Sequence, residues 1–509
     1  MTATLPAAEN VAEFDTHVGD DKHPSLYNED LAPLPKEKRR WGAFEFFNVW
    51  TNDVQSLAGY TLAATLFVSA GINGWWVFAA IILAGFFVNF LVNLTGKPSV
   101  KYGIPYAVMA RSSMGVRGAQ FPALIRGIVA IFWYGAQTYF ASTAVGLAIN
   151  AIIVTPPEAT FLGMTWVDWV SYVFVAALQV LLFVGGIAWI EKFLNFAGPA
   201  VYVVMVALLV AIWIQAGDRL LPAVGSIFNN SSVEGWDAVV AFFGVIGTMI
   251  AYFSAVIINF GDFARFSKSE RKMRLGNFTG LPVSLAFFTF LSLFITAGAY
   301  IVLQGGEGTP LTNPAEIVGL VGNVFLTIVA AITFVVATIG INLVANFIPP
   351  AYDLSNLAPQ RISFKAGGYL TAAIGFVVGA LWLAVIGDNL PLFVDTLGAI
   401  LAPLYGVLVA DYYIVQRRSI KVVDLFSMKP EGRYFYEKGW NIRAIIAIAV
   451  AAVFSVSAVW VPALTKLSGF AWVIGALLGA ILYVAVMWNH RPAPVEPAAD
   501  LADAEQATV

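Results

Sequence analysis

Apolar runs of about 20 residues, the length that crosses a bilayer, alternate with short polar stretches along most of the chain. Their spacing predicts an all-α polytopic protein with twelve spanning helices, at residues 43–70, 75–94, 124–153, 167–188, 196–214, 236–260, 281–304, 317–347, 368–387, 392–415, 442–460 and 469–488. The polar stretches carry a second pattern. Lys36, Lys38, Arg39 and Arg40 end the amino-terminal tail, and the connections after even-numbered spans hold a run of basic residues that includes Lys97, Arg117, Arg271, Arg361, Arg417 and Arg433. The opposite connections hold only Arg219 and Lys466. Because Lys and Arg accumulate in cytoplasmic loops, both termini are expected in the cytoplasm, a parity that an even number of spans satisfies. Residues 1–40 and 490–509 read as disordered tails, 41–416 as a core of ten spans, 417–440 as a cytoplasmic loop and 441–489 as two further spans. The stretch from Lys97 to Gln120, mixing Pro105, Met109 and Met114 with Arg111 and Arg117, reads as an interfacial helix or a structured loop.

One span breaks the apolar pattern. Asn52, Asp53, Gln55 and Ser56 form a polar knot inside the first. A carboxylate at the middle of a spanning helix costs about 2.5 to 3.5 kcal/mol, so it normally faces a wet cavity, an ion or a substrate. The sixth span has Gly244, Gly247 and Thr248 ahead of Tyr252, Phe253 and Ser254, and both would be weak as continuous helices. Transporters place substrate at the bilayer midplane where two such discontinuous helices meet, in corresponding positions of two inverted halves. First and sixth correspond if five helices repeat as five. Glycines that merely let helices pack closely give the same letters.

Composition narrows the class. Of 509 residues, 59% are hydrophobic and 12% charged, with mean hydropathy +0.78, against about 25% charged in soluble domains. A net charge of −3 without a basic tract gives no footing for nucleic acid. The absence of cysteine removes disulfides, thiolate metal sites and cysteine nucleophiles. His17, His23 and His490 all lie in polar ends, so no histidine relay crosses the membrane, and no signal peptide is evident before residue 40. There is no phosphate-binding GxxxxGK[ST] loop and no HExxH, so an ion gradient is the simplest energy source, and neither cofactor nor metal is expected.

The third span offers Trp133 and Gln137, four apart and on one helical face. An aromatic plate beside an amide suits a flat, amide-rich heterocycle, because the ring is gripped by stacking and the carboxamide matches its donors and acceptors; helix packing uses the same pair. Asn342 and Asn346, again four apart, precede Pro349-Pro350, where the eighth span is expected to stop. They bind substrate or tie helices together. Asp53 either exchanges protons or caps the broken helix. Glu45, Asp262 beside Arg265, Asp395 and Asp411 read as interfacial or ion-paired.

Five strings resemble the nucleobase:cation symporter-1 family, which holds bacterial hydantoin, allantoin and cytosine permeases and plant and fungal nucleobase carriers: KYGIPYAVMARSSMGVRGAQFPALIRG, AIFWYGAQT, NFGDFARF, ANFIPPAYDLSNLAP and ADYYIV. The resemblance spans roughly residues 30–490 and implies a five-plus-five inverted repeat with two extra carboxy-terminal helices. It implies that Trp133 stacks on substrate with Gln137 as its partner amide, that Gln55 and Asn346 face the site, and that Phe253 stands where a second tryptophan is frequent. Sodium-coupled members hold the ion with carbonyls at positions matching Thr51, Val54 and Ala337 and with two hydroxyls, where this chain has Gly340 and Ile341. A hard cation takes about five or six oxygens, so losing two implies a degenerate sodium site and shifts the expectation to coupling by protons, with Asp53 as the candidate carrier, or to no strict coupling at all. The expected function is secondary import of uracil, allantoin or a hydantoin across the plasma (inner) membrane by a monomer. A membrane-embedded enzyme, a channel and a sodium symporter of the same substrates are the alternatives, separated by uptake into vesicles.

Overall fold

The computed structural model describes residues 18, 22–153, 159–227, 233–385 and 389–493. Among these the secondary structure is helical, with three isolated β-bridges and no strand ladder. Among the described residues nine helices are long and apolar enough to cross a membrane, and Leu57–Ser69 and Phe364–Ala380 are shorter apolar helices. Large apolar side chains such as Trp76, Phe90, Val453, Phe454, Leu477 and Ile481 point outward, the face that hydrocarbon accepts when every backbone group is bonded within its helix.

Span one is two helices, Ala43–Val54 and Leu57–Ser69. The break falls at the polar knot because Ser56 is extended and its hydroxyl accepts the Gly59 N–H at 3.0 Å, an N-cap worth about 1 kcal/mol. Capping therefore belongs to Ser56 and not to Asp53. A Cβ on Gly59 would lie 2.8 Å from the Val54 carbonyl oxygen and 3.1 Å from the Tyr252 hydroxyl, so only glycine lets the halves and span six approach. Span six breaks at Phe253, between Gly235–Tyr252 and Ser254–Asn259. The two breaks touch: Tyr252 Oη lies 2.9 Å from Ser56 Oγ. Span three is one helix, Gln120–Asn150, and it meets span nine, Phe364–Ala380, closely enough that a Cβ on Gly135 would come 2.7 Å from the backbone of Gly375 and Gly379.

Several expectations are corrected. Span eight does not stop at its prolines. Val324–Ile341 passes through a π-helical turn, Asn342–Phe347, into Ile348–Leu357. The change of register at the π turn makes residue 348 the start of a new segment, and prolines in a first turn lack only N–H groups that need no partner there. The 314–319 part of the predicted span is a separate short helix, Pro314–Gly319. Of the stretch from Lys97 to Gln120, the first residues close the helix Gly74–Tyr102, which Gly103 (φ 71°) ends, and the middle folds as the short, buried helices Tyr106–Met109 and Arg111–Met114, the second ended by Gly115 (φ 88°), the structured-loop alternative and not one interfacial helix. Arg111 donates to the Leu425 carbonyl and to Asn356 Oδ1.

Residues 22–40, expected to be disordered, are packed onto the same end. Leu26 and Leu31 are buried with Tyr102, Ile104, Val108 and Phe426, Leu34 N–H bonds the Gly103 carbonyl, and Asn28 donates to Ser355 at 2.8 Å. The low net hydrophobicity of the tail hid two leucines that help to dock it. Residues 1–17 and 494–509 lie outside the described residues. Asp262 is not paired side chain to side chain with Arg265, whose guanidinium donates to the carbonyls of Asp30 and Ala32; it accepts from Tyr106 N–H and Asn259 instead. Asp411 is fully buried and accepts from Ser112, Tyr483 and Gln416, and Glu45 accepts the Gly42 N–H at the start of span one.

Candidate substrate site

The breaks in spans one and six, the middle of span three and the π turn of span eight converge on one buried region. Trp133 is 3% exposed and meets Tyr252 edge-on at 5.5 Å and Phe393 at 5.0 Å. Its indole Nε1 has no protein partner, and neither has Gln137 Oε1, although Gln137 reaches the Tyr252 hydroxyl. Both are polar atoms held in a low-dielectric interior, where each costs about 1 to 3 kcal/mol if left unmet. A polar ligand or a water molecule would meet that cost.

Asn346 is oriented by a relay. Asn342 donates to the Tyr134 carbonyl, to Thr138 Oγ1 and to Gln179 Oε1 at 3.1, 3.1 and 2.6 Å, and its own oxygen accepts from Asn346 at 3.0 Å. Asn342 is thereby tied into spans three and four, and it fixes the amide one helical turn further on. Gln55 lies at the break in span one, buried, next to Ser56. Phe253 is buried, 6.3 Å from Trp50 and 4.9 Å from Tyr252, edge-on to both. Tyr252 thus stands against both Trp133 and Phe253, so the two rings flank a tyrosine. That tyrosine, which joins spans one, three and six, was the residue the sequence passed over; its place directly before the break was the available signal.

Among the cation positions, the Thr51 carbonyl accepts the Gln55 N–H at 3.3 Å and its hydroxyl lies 3.2 Å from Ser284 Oγ. Val54, Ala337, Gly340 and Ile341 are buried. The nearby hydroxyl of Thr338 already accepts the Leu57 N–H at 3.2 Å. Asp53 is 5% exposed, and its Oδ2 has no hydrogen-bond partner. Asp395, a second buried carboxyl, bonds Thr248 and leaves Oδ1 unpartnered. No group of three or more His, Cys, Asp or Glu among the described residues is arranged to hold a metal.

A polar cavity of about 490 Å³ opens at the end of the molecule away from the amino-terminal segment, between Thr61, Thr65, Thr143, Asn150, Asn313 and Glu316. Phe140 and Trp382 form part of its wall, 5.6 Å apart, and Trp382 leads through Phe393 at 4.9 Å to Trp133. The site is therefore separated from this vestibule by a layer of rings.

Residues 33–481 match the family described as permeases for cytosine/purines, uracil, thiamine and allantoin. The chain is 33% identical over 475 residues to the allantoin permease of Bacillus subtilis, covering 92% of this chain and 94% of that one. It is 29% identical to a putative allantoin permease of Escherichia coli, over 90% of this chain and 94% of that one. The fold is shared with Mhp1, a nucleobase-cation-symport-1 family transporter solved in a closed conformation with bromovinylhydantoin bound, at TM-score 0.72 and 24% identity over 93% of this chain and 98% of that one. The five strings in their order had pointed to the same relatives, and the chain belongs to this family of permeases for cytosine/purines, uracil, thiamine and allantoin, a transporter and not an enzyme.

Proposed function

We propose that this chain imports a cyclic ureide or nucleobase, with allantoin foremost and uracil and hydantoins next, by alternating access across the plasma (inner) membrane. The carrying observation is the pair of partnerless polar atoms, Trp133 Nε1 and Gln137 Oε1, on one face of span three beside the touching breaks of spans one and six. Trp133 stacks on the ring, Gln137 and Asn346 take its amide edge, Gln55 closes the side from span one, Phe253 limits the ring's substituents, and Asn342 holds Asn346. The name of the Bacillus relative, identical at a third of positions, supports allantoin over the others. A thermal-shift screen of the purified protein against allantoin, uracil, cytosine, hypoxanthine and benzylhydantoin tests the assignment; stabilisation by none of them overturns it.

Coupling belongs to protons and not to sodium in this reading, with no cofactor involved. Gly340 and Ile341 bring no side-chain oxygen, Thr338 is engaged by span one, and Asp53 presents an unbonded carboxyl oxygen beside the break. The asymmetry of Lys and Arg supports cytoplasmic termini, and the protein acts as a monomer in the bilayer. Uptake into proteoliposomes that persists in choline and responds to a pH gradient supports the coupling; a steep sodium requirement refutes it.

A further inference from the structure

Span two is one helix, Gly74–Tyr102, with Pro98 inside it close to its end. Proline has no N–H, so the Leu94 carbonyl four residues earlier loses its helical partner. The Tyr413 hydroxyl, in the π turn Asp411–Val415 that ends span ten, takes its place at 3.0 Å, and Tyr405 donates to the Leu91 carbonyl at 3.1 Å. Around these two bridges a narrow crevice remains between spans two and ten, at the end where Gly103 holds the amino-terminal segment. Its rim is Leu94, Val409 and Tyr413, all half-buried, and Phe90 and Ile414 beside the rim face outward. The crevice therefore opens sideways to hydrocarbon. Deeper in, Ile258, Leu408 and Tyr412 line it, and the Tyr412 hydroxyl, in a residue 1% exposed, has no protein partner.

Cations gather at the mouth. Lys97 and Lys101 stand one turn apart on span two, within electrostatic reach of each other. Arg274, on the helix Glu270–Phe278 that precedes span seven, and Arg418, just after span ten, both lie within electrostatic reach of Tyr413. The Arg418 guanidinium is 5.6 Å from the centre of the Tyr413 ring, and the Arg418 carbonyl accepts from Lys101 Nζ at 3.0 Å. Glu270 answers two of these cations, at 3.6 Å from Lys97 and 2.6 Å from Arg274, so the group keeps a positive surplus. The turn that delivers Arg418 is costly. Arg417 and Arg418 are both left-handed, at φ 53° and 62°, a conformation that suits glycine. Leu275 and Phe278, on the same short helix as Arg274, face outward, the mixed basic and apolar pattern of a helix lying at a membrane interface.

We propose that the crevice between spans two and ten and the cations at its mouth bind one anionic phospholipid from the leaflet at the amino-terminal end. The headgroup phosphate sits among Lys97, Lys101, Arg274 and Arg418, an ester carbonyl accepts the Tyr412 hydroxyl, and one acyl chain follows the crevice past Leu94 and Val409. The cations alone would serve any phosphate, and the apolar walls alone any chain. Only an amphiphile satisfies both. Each Lys or Arg near the membrane surface adds attraction for anionic lipid, and burial of the chain adds an apolar share. The bound lipid bridges span two, span ten and the helix before span seven. This surface shares no residue with the ureide site, so its occupancy is read without substrate.

Binding is read on the purified full chain in a neutral detergent, by native mass spectrometry of lipid adducts and by melting temperature. The probes are dioleoyl phosphatidylglycerol, dioleoyl phosphatidylcholine and inorganic phosphate. Phosphatidylglycerol is expected to give a saturable adduct and to raise the melting temperature at concentrations where phosphatidylcholine and phosphate do neither. Lys97→Gln combined with Arg418→Gln is expected to weaken phosphatidylglycerol binding about tenfold or more. Arg361→Gln combined with Lys365→Gln removes the same charge from another exposed connection at that end and is expected to leave binding unchanged. Val409→Trp fills the crevice with every charge kept and is expected to weaken phosphatidylglycerol binding as well; either the Lys97 and Arg418 pair or Val409→Trp decides if the other does not fold. Equal losses in the two charge pairs mean diffuse attraction and overturn the proposal. Stabilisation by phosphate alone, phosphatidylcholine held as tightly as phosphatidylglycerol, or unchanged binding in Val409→Trp overturns it too.

Discussion

Gln137→Ala separates a binding role from a packing role more cleanly than any other change at the site. Its Oε1 bonds nothing in the protein, so truncation removes an unmet acceptor and the contact with Tyr252, whose hydroxyl keeps Ser56 at 2.9 Å. The apoprotein is therefore expected to melt close to wild type. A bound ureide, by contrast, is left with a buried N–H facing a void, at about 1 to 3 kcal/mol, which corresponds to roughly a 5- to 150-fold weaker dissociation constant. Asn342→Ala is the converse. It strips Gln179 Oε1 and Asn346 Nδ2 of their partner in one step, so it is expected to lower the melting temperature of the apoprotein and to weaken binding only through the freed Asn346. Titrating both variants by thermal shift, with allantoin uptake in proteoliposomes as the second readout, gives the two patterns side by side. Unchanged affinity in Gln137→Ala, or a loss of apoprotein stability as large as that of Asn342→Ala, refutes the reasoning.

Trp133→Ala removes the stacking plate and two edge contacts with Tyr252 and Phe393, so uptake is expected to vanish while membrane insertion, followed by immunoblot of the membrane fraction, stays normal; wild-type kinetics in that variant would place the site elsewhere. Phe253→Trp enlarges the second ring and is expected to shift competition toward substrates with bulky aromatic substituents, measured as the ratio of benzylhydantoin to allantoin inhibition, and an identical ratio would remove Phe253 from the specificity determinants. Asp53→Asn keeps the shape of the break, whose cap is Ser56, and is expected to abolish the response of uptake to a pH gradient while substrate still stabilises the protein; if the response survives there and is lost in Asp395→Asn, the carrier is the carboxyl on span ten. Gly59→Ala is expected to impair transport by forcing the halves of span one away from the Tyr252 hydroxyl, and wild-type uptake would show that the close approach is not needed.

What could be read in the sequence was whatever leaves a local signature. The breaks in spans one and six were legible because polar residues and glycine weaken a helix where they stand, and Trp133 with Gln137 because a spacing of four sets two side chains on one face. The course of span eight was not legible. Pro349-Pro350 signals a stop only if the preceding register is regular, and a π turn of six residues resets it without a letter that marks it. The docked segment 22–40 was missed for the opposite reason: its contacts are Leu26, Leu31, the backbone bonds of His23 and Leu34 and a few polar bonds such as Asn28 to Ser355, too little to show in composition. Arg126 and Asp353 form a buried charge pair, 4.0 Å apart, that has no local signature, because each is ordinary in its own segment, an arginine near the start of one helix and an aspartate near the end of another. Their pairing comes from spans three and eight meeting end to start across 227 positions of chain, so that two charges, two turns from Trp133 and Asn346 on separate helices, face each other. Two side chains four apart on one helix can be read from the letters of that helix alone, whereas the pairing of Arg126 with Asp353 depends on the distance between helices, which only the folded chain defines.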